Sequence, residues 1–140
     1  MYKHQELTEK IIKAFYNVYH VLGYGFLEKV YENAMAIELR KLGVTFTQQS
    51  PISVYYEGEV VGEYFADLVV EGKVIVELKA VSKLADEHEA QLLNYLKATP
   101  NEVGLLLNFG PEPQIARKIY DNPRKGAMGW MKSMLLFLCL

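Results

Sequence analysis

Three ionisable residues stand on segments that otherwise look like buried strands. They lie in Asp67-Leu-Val-Val-Glu-Gly-Lys-Val-Ile-Val-Glu77-Leu-Lys79. Val69, Val70, Val74, Ile75, Val76 and Leu78 are what a core strand needs. Asp67, Glu77 and Lys79 are what it avoids, because burying a charge is costly unless the charge is paired or holds a metal. Two carboxylates on neighbouring strands can hold a divalent cation. Hard Mg²⁺ takes oxygen ligands and often uses one or two carboxylates plus water and substrate phosphate. A lysine two residues after the second carboxylate points to the same face of its strand. It can stabilise a developing phosphorane charge or orient an attacking water. Together these residues form a minimal set for phosphodiester hydrolysis. Glu28 on a nearby helix is a candidate further metal ligand, and Gln91 and Tyr95 are candidate hydrogen-bonding partners of the site or of a phosphate. The competing reading is a structural Asp–Lys–Glu ion cluster at a strand end.

The reading depends on register. A plain two-residue turn at Glu71-Gly72 would set Asp67 opposite Val76, on the face away from Glu77. A three-residue loop, or a glycine bulge at Gly72, would set Asp67 opposite Glu77. The longer turn is expected, because it gathers the three charges instead of burying them separately.

The remaining elements must position these groups. Leu7, Ile11, Phe15, Val18 and Leu22 recur every three or four residues, which predicts an amphipathic helix closed by Gly23-Tyr-Gly25. A second helix is expected from about Phe26 to Lys41, with Gly25 at its start, where a side chain would obstruct close backbone approach. Residues 44–56 are β-rich, and Pro51 in their middle suggests an edge strand, a bulge or a break. Glu57-Gly-Glu59 reads as a turn into a strand over 60–70, and 74–79 as the next strand. Asp86-Glu-His-Glu89 resembles a capping box, with Asp86 as the cap of a helix running to about Ala98. On that helix Gln91 and Tyr95 share a face. Residues 103–108 suit a buried strand. Gln114–Tyr120 fits either an edge strand or a short helix, Asp121-Asn-Pro-Arg a turn, and Trp130–Leu140 an apolar end that docks on the body or on another subunit.

A chain of 140 residues, half apolar and about a quarter charged, fits one soluble globular domain, with 111–140 as a C-terminal extension whose elements the pattern leaves open. The single cysteine, Cys139, excludes an internal disulfide and fits a reducing cytoplasm. No secretory signal is visible and no apolar run reaches the ~20 residues of a membrane span. The net charge of −2 makes no global case for nucleic acid. Its distribution is uneven: residues 114–140 carry 5 of the 15 basic residues and only one acidic residue, Asp121. Arg117, Lys118, Arg124, Lys125 and Lys132 could therefore meet phosphates, or form a solvated basic face. The histidines lack metal-ligand spacing, and the serines lack a nucleophile elbow.

The order of these features resembles the PD-(D/E)xK nuclease superfamily. More narrowly, Gly25-Phe-Leu-Glu28-Lys-Val-Tyr31 is similar to the signature of the small bacterial GxxExxY proteins. Asp67 stands where the superfamily has its metal-binding aspartate, and Glu77-Leu-Lys79 where it has E-x-K. Gln91-Leu-Leu-Asn-Tyr95 resembles the Q-x-x-x-Y element of RecB-like members. Ala66 replaces the proline that often precedes the aspartate. The resemblance covers about 7–110. It implies an α/β (α+β) restriction-endonuclease-like core, a mixed four-stranded sheet flanked by helices. It also implies Mg²⁺ or Mn²⁺ as cofactor and nucleic acid, DNA before RNA, as partner.

The expectation is a metal-dependent nuclease in which Asp67 and Glu77 bind metal, Lys79 assists the nucleophile, Glu28 completes the metal site, and Gln91, Tyr95, Tyr31 and Gly25 support it. The alternative is a non-catalytic nucleic-acid- or protein-binding module that keeps the fold. A further expectation is homo-oligomerisation through the apolar C-terminus.

Overall fold

The computed structural model describes residues 3–125. The expectations placed on Trp130–Leu140, Lys132 and Cys139 lie outside the described residues. The elements run α1 (Gln5–Leu22), α2 (Glu28–Lys41), β1 (Phe46–Tyr56), β2 (Glu59–Val70), β3 (Val74–Lys79), α3 (Asp86–Lys97), β4 (Val103–Phe109), β5 (Pro113–Ile119) and α4 (Asn122–Lys125).

The strands form one mixed sheet in the order β1-β2-β3-β4-β5. β3 and β4 are parallel and joined by the α3 crossover; all other neighbours are antiparallel. The expected four strands become five. The fifth is 113–119, which pairs with β4 from Val103↔Ile119 to Phe109↔Pro113. Its alternation of Ile115 and Arg117 with Ala116 and Lys118 is too weak a pattern to separate an edge strand from a helix turn. Pro51 lies in β1, which is an edge strand, where a missing N–H is tolerated. The segment read as a turn after Asp121 closes into the single helical turn α4.

Two layers cover the sheet. α1 and α2 pack Ile11, Phe15, Tyr31, Met35 and Leu39 on Leu68, Val70, Val76, Leu78, Leu105 and Leu107. α3 packs Leu92, Tyr95 and Leu96 on Ala66, Ile75 and Leu106 of the other face. β3 and β4 are apolar almost throughout because both of their faces are covered. α3 starts one residue earlier than a cap at Asp86 would require. Ala85 occupies the N-cap, and His88 Nδ1 accepts its backbone N–H at 3.0 Å. Alanine has no side-chain acceptor, so only the return half of the box forms.

Candidate active site

The turn between β2 and β3 sets the geometry. Val70 pairs with Val74, leaving the three residues Glu71-Gly72-Lys73 as the loop. Glu71 and Gly72 both take left-handed conformations, φ 54° and 64°, and Lys73 N–H closes the turn on Val70 O at 2.9 Å. Glu71 is held from outside: Thr45 Oγ1 donates to its carboxylate, and its own N–H donates to Thr45 O at 2.9 Å. The register Val70↔Val74, Val69↔Ile75, Leu68↔Val76, carried one pair further, sets Asp67 across from Glu77. The longer loop therefore produces the alignment that the charge pattern demanded.

At Asp67 the ladder changes character. Its Oδ2 accepts the backbone N–H of Leu78 at 2.8 Å, so a side chain takes the place of a strand carbonyl. The matching position on β1, Gln49, drops out of the β1–β2 pairing and holds a left-handed φ of 51°. A non-glycine residue in that region is strained, and strain of this kind collects at functional sites. Gln49 Nε2 donates to Asp67 Oδ1 at 3.2 Å and to Glu32 Oε1 at 2.7 Å. Glu32 is 3% exposed, and its other oxygen accepts Gln48 Nε2 at 2.7 Å and Lys29 Nζ at 3.0 Å. A chain of contacts thus runs from α2 through Gln49 to Asp67.

Glu77 is 5% exposed, and its Oε1 is buried with no hydrogen-bond partner. Burial, then the Asp67 charge and a hydrogen bond shared with the Asp67 carboxyl, push its pKa from 4.5 up to about 9, against the pull of the Lys79 ammonium. At neutral pH Glu77 is therefore held in its protonated form. Tyr95, on α3, is also buried. Burial and then the charges of Glu77, Asp67 and neighbouring Tyr64 push its hydroxyl up to about 12, so it stays a neutral donor. Lys79 closes β3, half-buried, and shares the face of Glu77. The chain leaving it is fastened by Asn108 on β4, which accepts Val81 N–H and donates to Val81 O, both at 3.0 Å. Gly110 allows this approach: a Cβ there would stand 2.4 Å from Val81 O.

The other expected residues are placed differently. Gln91 is half-buried and lines a cavity with Tyr95. Tyr31 is wholly buried, stacked on Phe109 with ring centroids 4.2 Å apart. Its hydroxyl donates to Gly23 O at 2.6 Å and accepts Phe26 N–H at 3.2 Å, which pins the α1–α2 connection. Gly25 is needed for its φ of 125° and not for space, since a Cβ there would meet nothing within 4 Å. Glu28 is exposed in the first turn of α2. Among the described residues no three acidic or histidine side chains are grouped to hold a metal, so Glu28 is not brought to Asp67 and Glu77. Glu32, one turn further on, faces the sheet instead. Its position beside Tyr31 and one turn before Ala36, on the buried stripe of α2, was the available signal: a charge on an apolar stripe needs partners. Gln49 carried no comparable mark.

A two-carboxylate site suits a hard divalent cation that keeps most of its ligands as water and phosphate oxygen. The orphaned Glu77 oxygen beside Asp67 fits that requirement, because a cation would replace the proton that burial and the Asp67 charge now impose.

The fold has a counterpart among solved structures. That of SSO0001 superposes with a TM-score of 0.50 at 16% identity, covering 79% of this chain and 58% of that one. This chain therefore spans little more than half of that protein, and at such identity the likeness speaks for the fold alone. No curated protein matches the sequence. The model of the PD-(D/E)XK nuclease superfamily matches residues 5–119, from α1 through β5 and across every residue of the Asp67–Glu77–Lys79 group. The chain belongs to the PD-(D/E)XK nuclease superfamily.

Proposed function

We propose that the protein is a nuclease that hydrolyses nucleic-acid phosphodiesters with the help of a divalent cation, Mg²⁺ or Mn²⁺. The observation that carries the reading is the buried, partnerless Glu77 oxygen paired with the carboxylate of Asp67. In this reading Asp67 and Glu77 hold the ion. When bound, it would neutralise charge on the phosphate and acidify a water. Glu77 would hold the ion as a carboxylate, and the ion's charge would offset the repulsion between the two carboxylates. Asp67 keeps its aim through Leu78 N–H and Gln49. Glu32 acts behind Gln49 as a positioning residue, and Glu28 is assigned no step. Lys79 donates to a non-bridging phosphate oxygen or orients the attacking water. Tyr95, kept neutral, donates a hydrogen bond to the substrate, with Gln91 beside it. The subfamily signature of GxxExxY proteins, Gly25 through Tyr31, serves the α1–α2 connection and not the chemistry.

The test is cleavage of end-labelled single- and double-stranded DNA and RNA with Mg²⁺ or Mn²⁺, comparing wild type with Asp67→Ala and Lys79→Ala. The reading expects loss of at least about 100-fold in both variants. Equal activity in all three proteins would sink it. The absence of a third acidic ligand among the described residues favours a second reading, a binding module that keeps the nuclease fold. That reading predicts nucleic-acid binding with no metal-dependent turnover and no calorimetric Mn²⁺ binding at millimolar concentration.

A further inference from the structure

Beside the carboxylate pair lies a cavity of about 480 Å³ between α3 and the β1–β2 hairpin. Its lining includes Val54, Tyr64, Gln91, Asn94, Tyr95 and Lys97. The volume falls in the range of small-ligand sites, ~300–1,000 Å³. Tyr95 ties this cavity to the candidate active site: it packs in one cluster with Ala66, next to Asp67, and with Ile75, two residues before Glu77 on the same face of β3. Tyr64 is 46% exposed, with its ring centroid 5.7 Å from that of Tyr95. An exposed tyrosine ring is a stacking surface for any base. The amides of Gln91 and Asn94 each offer a donor and an acceptor at the wall. Lys97 adds a cation without a carboxylate partner among the described residues. Its Nζ lies 5.4 Å from the centre of the Tyr120 ring, and the Arg124 guanidinium lies 4.8 Å from that same centre. The residues before 114 carry a net charge of −6, and Lys97 among them is joined at this ring by Arg124 of the basic segment that follows.

We infer that this cavity takes the base of an unpaired nucleotide, so that the substrate is single-stranded or locally opened nucleic acid whose phosphate is thereby presented to Asp67 and Glu77. The inference rests on the nuclease reading for the role of that phosphate. A base still paired in a duplex is stacked on both sides and cannot enter a side pocket without unpairing. Lys97 at the cavity wall neighbours Tyr120, which also neighbours Arg124, an alternation of charge and ring that suits a flexible backbone with splayed bases.

The experiment is binding measured in EDTA, where no turnover occurs. An oligonucleotide with one central 2-aminopurine is titrated with the protein as a single strand and as the matched duplex, following its fluorescence and anisotropy. The single strand should bind at least about tenfold more tightly than the duplex. Tyr64→Ala should weaken single-strand binding by about 5- to 100-fold, the range expected for one base–aromatic stack, and Tyr64→Phe should restore it. Lys97→Ala should also weaken it, by a factor relative to wild type that grows as salt is lowered, because a phosphate contact is worth most there. Circular dichroism of each variant establishes that the fold is kept. Equal binding of single strand and duplex overturns the inference, as does wild-type affinity in both Tyr64→Ala and Lys97→Ala. Metal-dependent cleavage without the single-strand preference would overturn the pocket and leave the nuclease reading standing. The preference without cleavage would support the pocket and favour the binding module.

Discussion

Replacing Glu77 by glutamine should stabilise the protein while abolishing metal-dependent activity. The unfolded chain ionises Glu77 near 4.5, whereas the folded chain holds its proton up to about 9. A carboxyl raised in this way contributes stability that is fully present below 4.5. That contribution is lost as pH rises towards 9, because folding at intermediate pH must take up a proton. Each pH unit in that window costs about 1.4 kcal/mol, so the penalty is below ~1 kcal/mol at pH 5 and at most ~5 kcal/mol at pH 8. Glutamine has nearly the same shape and cannot ionise, and its amide can donate to the Asp67 carboxylate. Allowing for an amide that must satisfy itself in a buried place, we expect Glu77→Gln to gain about 2–4 kcal/mol at pH 8. That corresponds to a rise in Tm of roughly 8–15 °C for a chain of this size. The assay is thermal or urea unfolding of both proteins from pH 5 to 8.5 in EDTA. The diagnostic is the difference between the two stability curves, which should be zero or slightly against the variant at pH 5 and shift steadily in its favour as pH rises. A gap independent of pH, or a less stable variant at pH 8, would refute the reasoning from burial and like charge. Saturating Mn²⁺ should raise the Tm of wild type and leave that of the variant in place, since only the wild type can exchange its proton for the ion.

The strain at Gln49 makes a second prediction. Gln49→Ala keeps the left-handed φ and removes both contacts to Glu32 and Asp67, so urea unfolding should show a loss of about 1–3 kcal/mol. Gln49→Gly removes the same contacts but relaxes the backbone, and should be more stable than the alanine variant by up to ~1 kcal/mol; the reverse order would show that the conformation carries no cost. Gly110→Ala would put a methyl group 2.4 Å from Val81 O and 2.8 Å from Asn108 Nδ2, so chemical denaturation should reveal a loss above ~2 kcal/mol and, through the shifted exit of Lys79, slower cleavage at unchanged substrate affinity. Wild-type stability in that variant would mean that the contact yields freely.

The parts of the site legible in the sequence are those governed by local rules. The Asp67–Glu77 alignment follows from two apolar runs of period 2 and the number of residues between them, both of which are visible in one stretch of chain. The face shared by Gln91 and Tyr95 follows in the same way from helical spacing. What escaped is set by distant partners. Glu32 matters because the left-handed turn of the backbone at Gln49, on β1, aims an amide towards it. The ladder is interrupted there without a shift of register, where Asp67 takes the N–H of Leu78, a competition that no single strand announces. Glu28 looked the stronger candidate because it sits in the recognisable signature, but the first turn of α2 leaves it in solvent while the next turn meets the sheet. Asn108 likewise reads as one polar residue in an apolar strand until Val81 and Gln114 arrive to use its amide.

β2 is paired with β3 only over Leu68–Val70, whereas its pairing with β1 continues to Tyr56↔Glu59. Beyond the break at Gln49 and Asp67 the two strands project as a ribbon with no third strand beside it among the described residues. Both of its edges face solvent, and Val61, Tyr64 and Phe65 on it are largely exposed. The tip of this ribbon, beyond the Ile52, Val54 and Ala66 that pack with α3, can open without disturbing the layers clamped onto β3 and β4, so two exchange classes are expected among the described residues. The amide protons of β3 and β4 should exchange through global unfolding, and those between residues 55 and 63 through local opening at much lower free energy. Tyr64, whose ring meets Tyr95 of α3, and the carboxylates then stand on the boundary where the two units meet.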